Sequence, residues 1–169
     1  MSIKKLMITL ALVPVGLTAC TPDLDTQLVQ ASRKGQGSWV RALLEAGADA
    51  GATTPQGYTA LVYAASRGDA ESVKALVEAG ASVDRGHRQA GRGLTALIYS
   101  AREGHILTAR ILLEGGADVN AERSGMTALQ MATSQGHDDM VQLLEEAGAT
   151  PIEENKRTIE QESHRAREP

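Results

Sequence analysis

Few side chains in this sequence are of the types that carry out catalysis or bind metal ions, and none follows a known catalytic spacing. The chain has one cysteine, Cys20, and four histidines. It contains no Gly-x-Ser-x-Gly nucleophile elbow, no His-Glu-x-x-His zinc motif and no phosphate-binding loop ending in Lys-Ser or Lys-Thr. Gly91-Arg92-Gly93 is glycine-rich but falls in a hairpin, and Asp138-Asp139 open a helix whose dipole favours acids. We therefore expect no enzymatic activity, no cofactor, no metal site and no small-molecule substrate.

Cys20 follows a segment with the features of an export signal. Lys4 and Lys5 form a positively charged start, and residues 6–17 are predominantly apolar. A run of about 12 residues is too short to span a bilayer but has the length of a signal-peptide core. Leu17-Thr18-Ala19-Cys20 then resembles the lipobox of bacterial lipoproteins. The resemblance implies removal of residues 1–19 and lipidation of Cys20, while the alternative is a buried or incidental thiol.

The same resemblance implies a location for the protein. Two or more acyl chains anchor a protein stably, whereas a single chain does so only marginally. Residue 21 is Thr rather than Asp, which in lipoproteins of the enterobacterial type implies sorting to the outer membrane. We therefore expect a lipid-anchored protein on the periplasmic face of the bacterial outer membrane, with residues 20–23 as the lipidated cysteine and a short tether.

The charge balance argues against two classes of partner. Loss of Lys4 and Lys5 from the 17 basic residues would leave 15, against 21 acidic residues, for a net charge of −6. A nucleic-acid-binding surface needs basic residues to neutralise phosphates. Attraction to anionic lipid likewise depends on clustered Lys and Arg. We therefore expect neither nucleic acid nor an anionic lipid surface to be bound through charge.

A repeat of about 33 residues runs through most of the chain. Corresponding threonines are Thr26, Thr59, Thr95 and Thr127, at intervals of 33, 36 and 32 residues. Each is followed nine residues later by a glycine, and twelve residues after that by a Gly-Ala pair. Four copies with two fixed glycines each predict a repeat architecture, because a single copy is too small to bury its own apolar face.

The second copy shows how the pattern specifies two helices. Thr59 is placed to cap a helix on which Leu61, Ala64 and Ala65 recur at i, i+3 and i+4 and form one apolar stripe. Gly68 ends that helix. A second helix is predicted from about Asp69 to Ala79, with Gly80 in the left-handed conformation after it.

These motifs resemble the ankyrin family. The resemblance covers roughly residues 24–150. It rests on the Gly-x-Thr-x-Leu start of the repeat, the Ala-Ala pair, the Gly-His pair at Gly104-His105 and the end of the repeat at Gly116-Ala117-Asp118-Val119-Asn120. It implies an all-α solenoid of about four repeats, each with a helix-turn-helix and a β-hairpin finger. The implied repeats are residues 24–56, 57–92, 93–124 and 125–150. The first would cap the array, and residues 151–169 would form a charged tail or capping helix.

The resemblance also implies a binding surface, the concave face formed by the finger tips and the first helix of each repeat. Carried over by position, this face includes Tyr63, Tyr99 and Met131 in one row and Arg33, Arg67 and Arg102 in neighbouring rows. Tyrosine and arginine are enriched at interface hot spots. The alternative is that the tyrosines pack against the fingers. Arg85 and Arg88 lie in the second finger, which is three residues longer, and would either steer an acidic partner or form a solvated loop.

Two further positions favour structural roles. Trp39 occupies a position that corresponds to a core position in the second helix of the repeat, so we expect its side chain in the core. His105 and His137 occupy equivalent places in adjacent repeats, and stacked helices lie about 8–10 Å apart, too far for two side chains to share a metal ion easily. We expect these histidines to cap helices or to be solvated.

The expected function is therefore the binding of another protein at the cell envelope. By family analogy, a specific version is an immunity-type inhibitor of a toxic envelope-acting effector such as a phospholipase. The alternatives are a scaffold or accessory factor for a periplasmic enzyme and, with least support from the residues, an enzyme.

Overall fold

The computed structural model describes residues 23–86 and 93–150. The proposed signal, Cys20, Arg88 and the segment 151–169 lie outside these residues. Eight helices are described, in four pairs. They are α1 (Leu24–Lys34) and α2 (Gly37–Glu45), α3 (Ala60–Arg67) and α4 (Ala70–Glu78), α5 (Ala96–Glu103) and α6 (Ile106–Glu114), and α7 (Ala128–Gln135) and α8 (Asp138–Glu146).

The helices form two layers. The first helices α1, α3, α5 and α7 pack one on the next, and the second helices α2, α4, α6 and α8 do the same. We call these the first-helix layer and the second-helix layer. The fold class is thus an all-α solenoid, as the sequence predicts.

Threonine caps start three of the four first helices. The hydroxyl of Thr59 accepts from the Val62 amide at 3.1 Å, and Thr95 and Thr127 cap α5 and α7 in the same way. The first helix differs, because Asp23 rather than Thr26 is its N-cap and it has 11 residues. The helix begins three residues before the position that corresponds to the first residue of α3.

The core lies between the two layers and is built from aliphatic side chains and alanine. Leu61, Ala64 and Ala65 are buried, as are Val73 and Leu76 of the second helix. Alanine at the contact positions allows adjacent first helices to approach closely. The predicted apolar stripe and the predicted second helix are both confirmed, the latter as Ala70–Glu78 with Asp69 and Ala79 as its caps.

Trp39 is not in the core, so the prediction for it is wrong. Its side chain is 40% exposed. In the three later repeats, the residue at the corresponding position is covered by the preceding repeat. No described repeat precedes the first one, so Trp39 is not covered in this way.

The fingers are turns rather than two-stranded hairpins in the part of the chain that the structure describes. Their β pairing consists of isolated antiparallel bridges, Thr53 with Thr59 and Arg123 with Met126. In the finger before α3, the Thr54 amide donates to the Tyr58 carbonyl at 2.9 Å. The finger before α3 therefore positions Tyr58, next to the helix cap, without a ladder of strand hydrogen bonds.

Glycine at the end of a first helix is required for two separable reasons. Gly68 has a φ of +70° and Gly136 a φ of +73°, and a residue with a Cβ atom in this left-handed region costs about 1–2 kcal/mol. A Cβ atom on Gly68 would also lie 2.7 Å from Nδ1 of His105, whereas one on Gly136 would meet no atom within 4 Å.

We therefore predict that Gly136→Ala lowers the free energy of unfolding by about 1–2 kcal/mol and that Gly68→Ala lowers it by more. Urea denaturation of both variants measures the difference. Equal losses would show that the His105 ring moves aside without cost.

Candidate functional site

The first-helix layer carries the row of side chains predicted to meet a partner. Tyr63 and Tyr99 are half-buried, so each presents part of its ring to solvent. Met131, in the same row, is buried, with 9% of its surface exposed, and its assignment to the binding surface is corrected. A flexible thioether can fold onto the neighbouring apolar surface, whereas a phenol keeps its hydroxyl near water or a polar partner.

The three tyrosines of the chain converge on this layer. The rings of Tyr58 and Tyr63 have centroids 5.4 Å apart and are tilted by 37°. Burial raises the pKa of the Tyr99 phenol, and Tyr58 raises it further through its charge and a side-chain hydrogen bond. Tyr99 thus lies beside Tyr58, which lies beside Tyr63.

Arg102 completes this group from the next turn of α5. Its guanidinium carbon lies 4.8 Å from the centroid of the Tyr99 ring, at a distance typical of a cation–π contact. Glu103 holds the guanidinium through Nε at 2.8 Å. The positive charge of Arg102 acts against the rise in the pKa of Tyr99. We call Tyr58, Tyr63, Tyr99 and Arg102 the tyrosine cluster.

Sequence reasoning missed Tyr58. It is the residue before the cap Thr59, so it lies where the finger joins α3 and faces the first turns of the first-helix layer. Its equivalents are Leu94 and Met126, and no repeat motif marks the position. The available signal was that all three tyrosines occur in two consecutive copies at offsets next to the predicted face.

The predicted basic residues are brought together only in part. Arg33 and Arg67 are exposed. A Cβ atom on Gly35 would lie 3.3 Å from Nε of Arg67, so Arg67 packs against the end of α1, beside Arg33 and Lys34. Arg85 is exposed in the finger after α4. The structure therefore gives one basic corner at the end of α1, separate from Arg102 in the tyrosine cluster.

The two layers carry opposite charge. The helices of the first-helix layer contain four basic and two acidic residues, and those of the second-helix layer contain three basic and eight acidic residues. Four of the acids lie in α8 alone. The surface with the tyrosine cluster is thus the more positive side of an acidic protein.

The histidines in the described residues have structural roles. His105 and His137 are the N-cap residues of α6 and α8, and the ring of His105 packs against Gly68. Nε2 of His137 lies 3.0 Å from the carbonyl oxygen of Arg102. Across residues 23–86 and 93–150, no three His, Cys, Asp or Glu side chains gather in a way that would hold a metal ion.

The second-helix layer has a groove of 630 Å³ between α4 and α6. Val77, Leu107 and Ile111 line it with apolar surface, and the ion pair of Lys74 with Glu78 lies at its edge. Leu107 is 62% exposed.

None of the described helices is long and apolar enough to cross a bilayer.

The fold and this surface define a helical repeat protein whose first helices present a partly exposed group of tyrosine side chains. The family model for ankyrin repeats matches the chain in three overlapping copies, over residues 4–87, 28–123 and 84–155. The chain belongs to the ankyrin-repeat family, and its repeats form a protein–protein interaction module. No curated protein matches the chain.

Proposed function

We propose that the protein binds a partner protein through the first-helix layer, with the tyrosine cluster at the centre of the contact. The observation that carries this proposal is the cluster itself. Three of the four aromatic residues in the sequence lie together, partly exposed, on one layer of the repeat. Tyrosine and arginine are enriched at interface hot spots, and a tyrosine ring supplies a large, amphipathic contact surface with only about two rotatable side-chain bonds.

The partner surface is acidic. Arg33, Lys34 and Arg67 form a basic corner at the end of α1, on the same layer as the cluster, and Arg85 adds an exposed positive charge on the finger after α4. Complementary charge at the rim of an interface speeds association and orients the partner. The acidic second-helix layer would repel the same partner and so leave the first-helix layer as the favoured face.

The module acts at the bacterial outer membrane, on its periplasmic face, held there by lipid on Cys20. The support is the lipobox-like Leu17-Thr18-Ala19-Cys20 and the start of the folded domain at Leu24, directly after the tether. Production of the full chain in a Gram-negative host should give an acylated protein in the outer-membrane fraction.

We predict that Cys20→Ser abolishes acylation and membrane retention, measured by intact mass and membrane fractionation. Thr21→Asp is the matched control, because it keeps the cysteine and should change only which membrane holds the protein. A Cys20→Ser protein that still fractionates with membranes at the wild-type level would contradict lipid anchoring.

Within this setting, we propose an immunity-type inhibitor of a toxic envelope-acting effector such as a phospholipase. An anchored inhibitor would meet the effector at the membrane that it attacks. The alternative is a scaffold or accessory factor for a periplasmic enzyme. The activity of the captured partner separates the two proposals: it falls on addition of an inhibitor, and it is maintained or increased by an accessory factor.

A further inference from the structure

The exposed tryptophan marks the N-terminal end of the solenoid as an incomplete surface. Trp39 is the third residue of α2. The third residues of the other second helices are Ser72, Thr108 and Met140, which are 0%, 1% and 0% exposed, against 40% for Trp39. The position is therefore one that the preceding repeat covers.

The opposite end of the array supports this assignment of direction. The fourth residue of the second helix is fully buried in the first three repeats, where it is Val40, Val73 and Ala109. The corresponding Val141 in the last repeat is only partly buried. The third position thus faces the preceding repeat and the fourth faces the following one. We call the surface around Trp39 and the start of α1 the N-terminal end face.

The N-terminal end face is also the part of the domain nearest the proposed anchor. Leu24 begins α1 four residues after Cys20, so the two Cα atoms can be separated by at most about 14 Å. Leu24 and Trp39 belong to the same repeat, which is the first described repeat of the solenoid. A lipid on Cys20 would therefore hold this repeat closest to the point of attachment at the bilayer surface.

Tryptophan has the chemistry that the lipid–water interface selects. Its ring is large and apolar but carries one N–H donor, and tryptophan is enriched at the level of lipid headgroups. The acids near this end are already engaged, since Asp23 accepts from the Thr26 amide at 2.6 Å and Asp25 accepts from the Asp49 amide at 2.8 Å. Both carboxylates are exposed, so they can stay hydrated while Trp39 approaches a zwitterionic lipid.

We infer that the N-terminal end face rests on the phospholipid surface, with Trp39 in the headgroup region. The inference rests on the proposed lipidation of Cys20, because one side chain binds lipid usefully only when a tether keeps it close. The solenoid then stands away from the membrane, and the tyrosine cluster faces sideways into the periplasm.

Trp39 is the only tryptophan of the chain, so its fluorescence tests the inference directly. The acylated full-length product is reconstituted into phosphatidylcholine vesicles with and without brominated acyl chains. The expected result is a blue shift of the emission on vesicles and its quenching by bromine. The Cys20→Ser protein mixed with the same vesicles should show neither effect.

A relocated tryptophan supplies the matched control. The double variant Trp39→Ser with Leu107→Trp places the single fluorophore on the second-helix layer, where Leu107 is exposed. Its emission should be unaffected by bromine. An acylated wild-type protein whose Trp39 is not quenched, or a double variant quenched as strongly as wild type, would overturn the inference.

Two other outcomes separate this inference from the proposed anchoring. If intact mass shows no acylation, the anchoring proposal fails, and coupling the sole cysteine, Cys20, to a maleimide lipid restores the tether, so that quenching still decides the position of Trp39. If the blue shift occurs in buffer and grows with protein concentration, a second copy covers the N-terminal end face, and the inference is overturned.

Discussion

Leu97→Ala is expected to lower the free energy of unfolding by about 2–5 kcal/mol, the range for removing a buried leucine side chain. Leu97 is 1% exposed and lies on α5, which packs between α3 and α7. The substitution leaves a cavity at the centre of the first-helix layer. Because each repeat is stabilised mainly by its neighbours, the loss weakens the packing on both sides.

Leu107→Ala is the matched control for this prediction. It makes the same chemical change on α6, at a side chain that is 62% exposed. A surface substitution of this kind changes stability by no more than about 0.5 kcal/mol. Urea denaturation followed by circular dichroism measures both variants. Similar losses for Leu97→Ala and Leu107→Ala would contradict the two-layer packing described above.

Joint replacement of Tyr63 and Tyr99 by alanine is expected to weaken partner binding by about 2 kcal/mol or more, or roughly 30-fold in Kd. The double variant removes two of the three rings in the tyrosine cluster and leaves Arg102 without the ring beneath it. Both side chains are half-buried in the free protein, so part of each ring is already positioned for contact. Isothermal titration with the purified partner gives the change in affinity.

The fold of this double variant must be checked separately, because Tyr63 also contacts Tyr58. The variant should remain folded by circular dichroism but unfold at a lower urea concentration than wild type, since both rings are half-buried and pack against the core. Leu107→Ala on the second-helix layer serves as the binding control and should retain wild-type affinity. Unchanged affinity in a folded Tyr63/Tyr99 variant would refute the site assignment.

The repeat could be predicted from the sequence because it depends on local signals that recur. Thr59, Gly68 and Gly80 fix the start of a helix, its end and the end of its partner, and the structure confirms each of them. Such signals act within one repeat and are therefore readable without knowledge of the neighbours.

The errors arise where the neighbours decide the outcome. Trp39 has the offset of a core residue, but no described repeat precedes the first one to bury the side chain. Met131 shares the row of the tyrosines, yet its flexible chain folds into the core. Tyr58 lies outside the periodic pattern, and only the packing of the finger against α3 brings it to Tyr63. Position in the array and choice of rotamer are not encoded in the spacing of one copy.

Binding of a partner protein by the first-helix layer can be tested by a comparative capture from envelope extracts. The acylated protein, its Tyr63/Tyr99 double variant and its Leu107→Ala variant are each tagged and used to capture proteins for identification by mass spectrometry. We expect one stoichiometric partner that wild type and Leu107→Ala retain and the double variant loses. A partner captured equally by the folded double variant, or lost only with Leu107→Ala, would contradict binding by this layer.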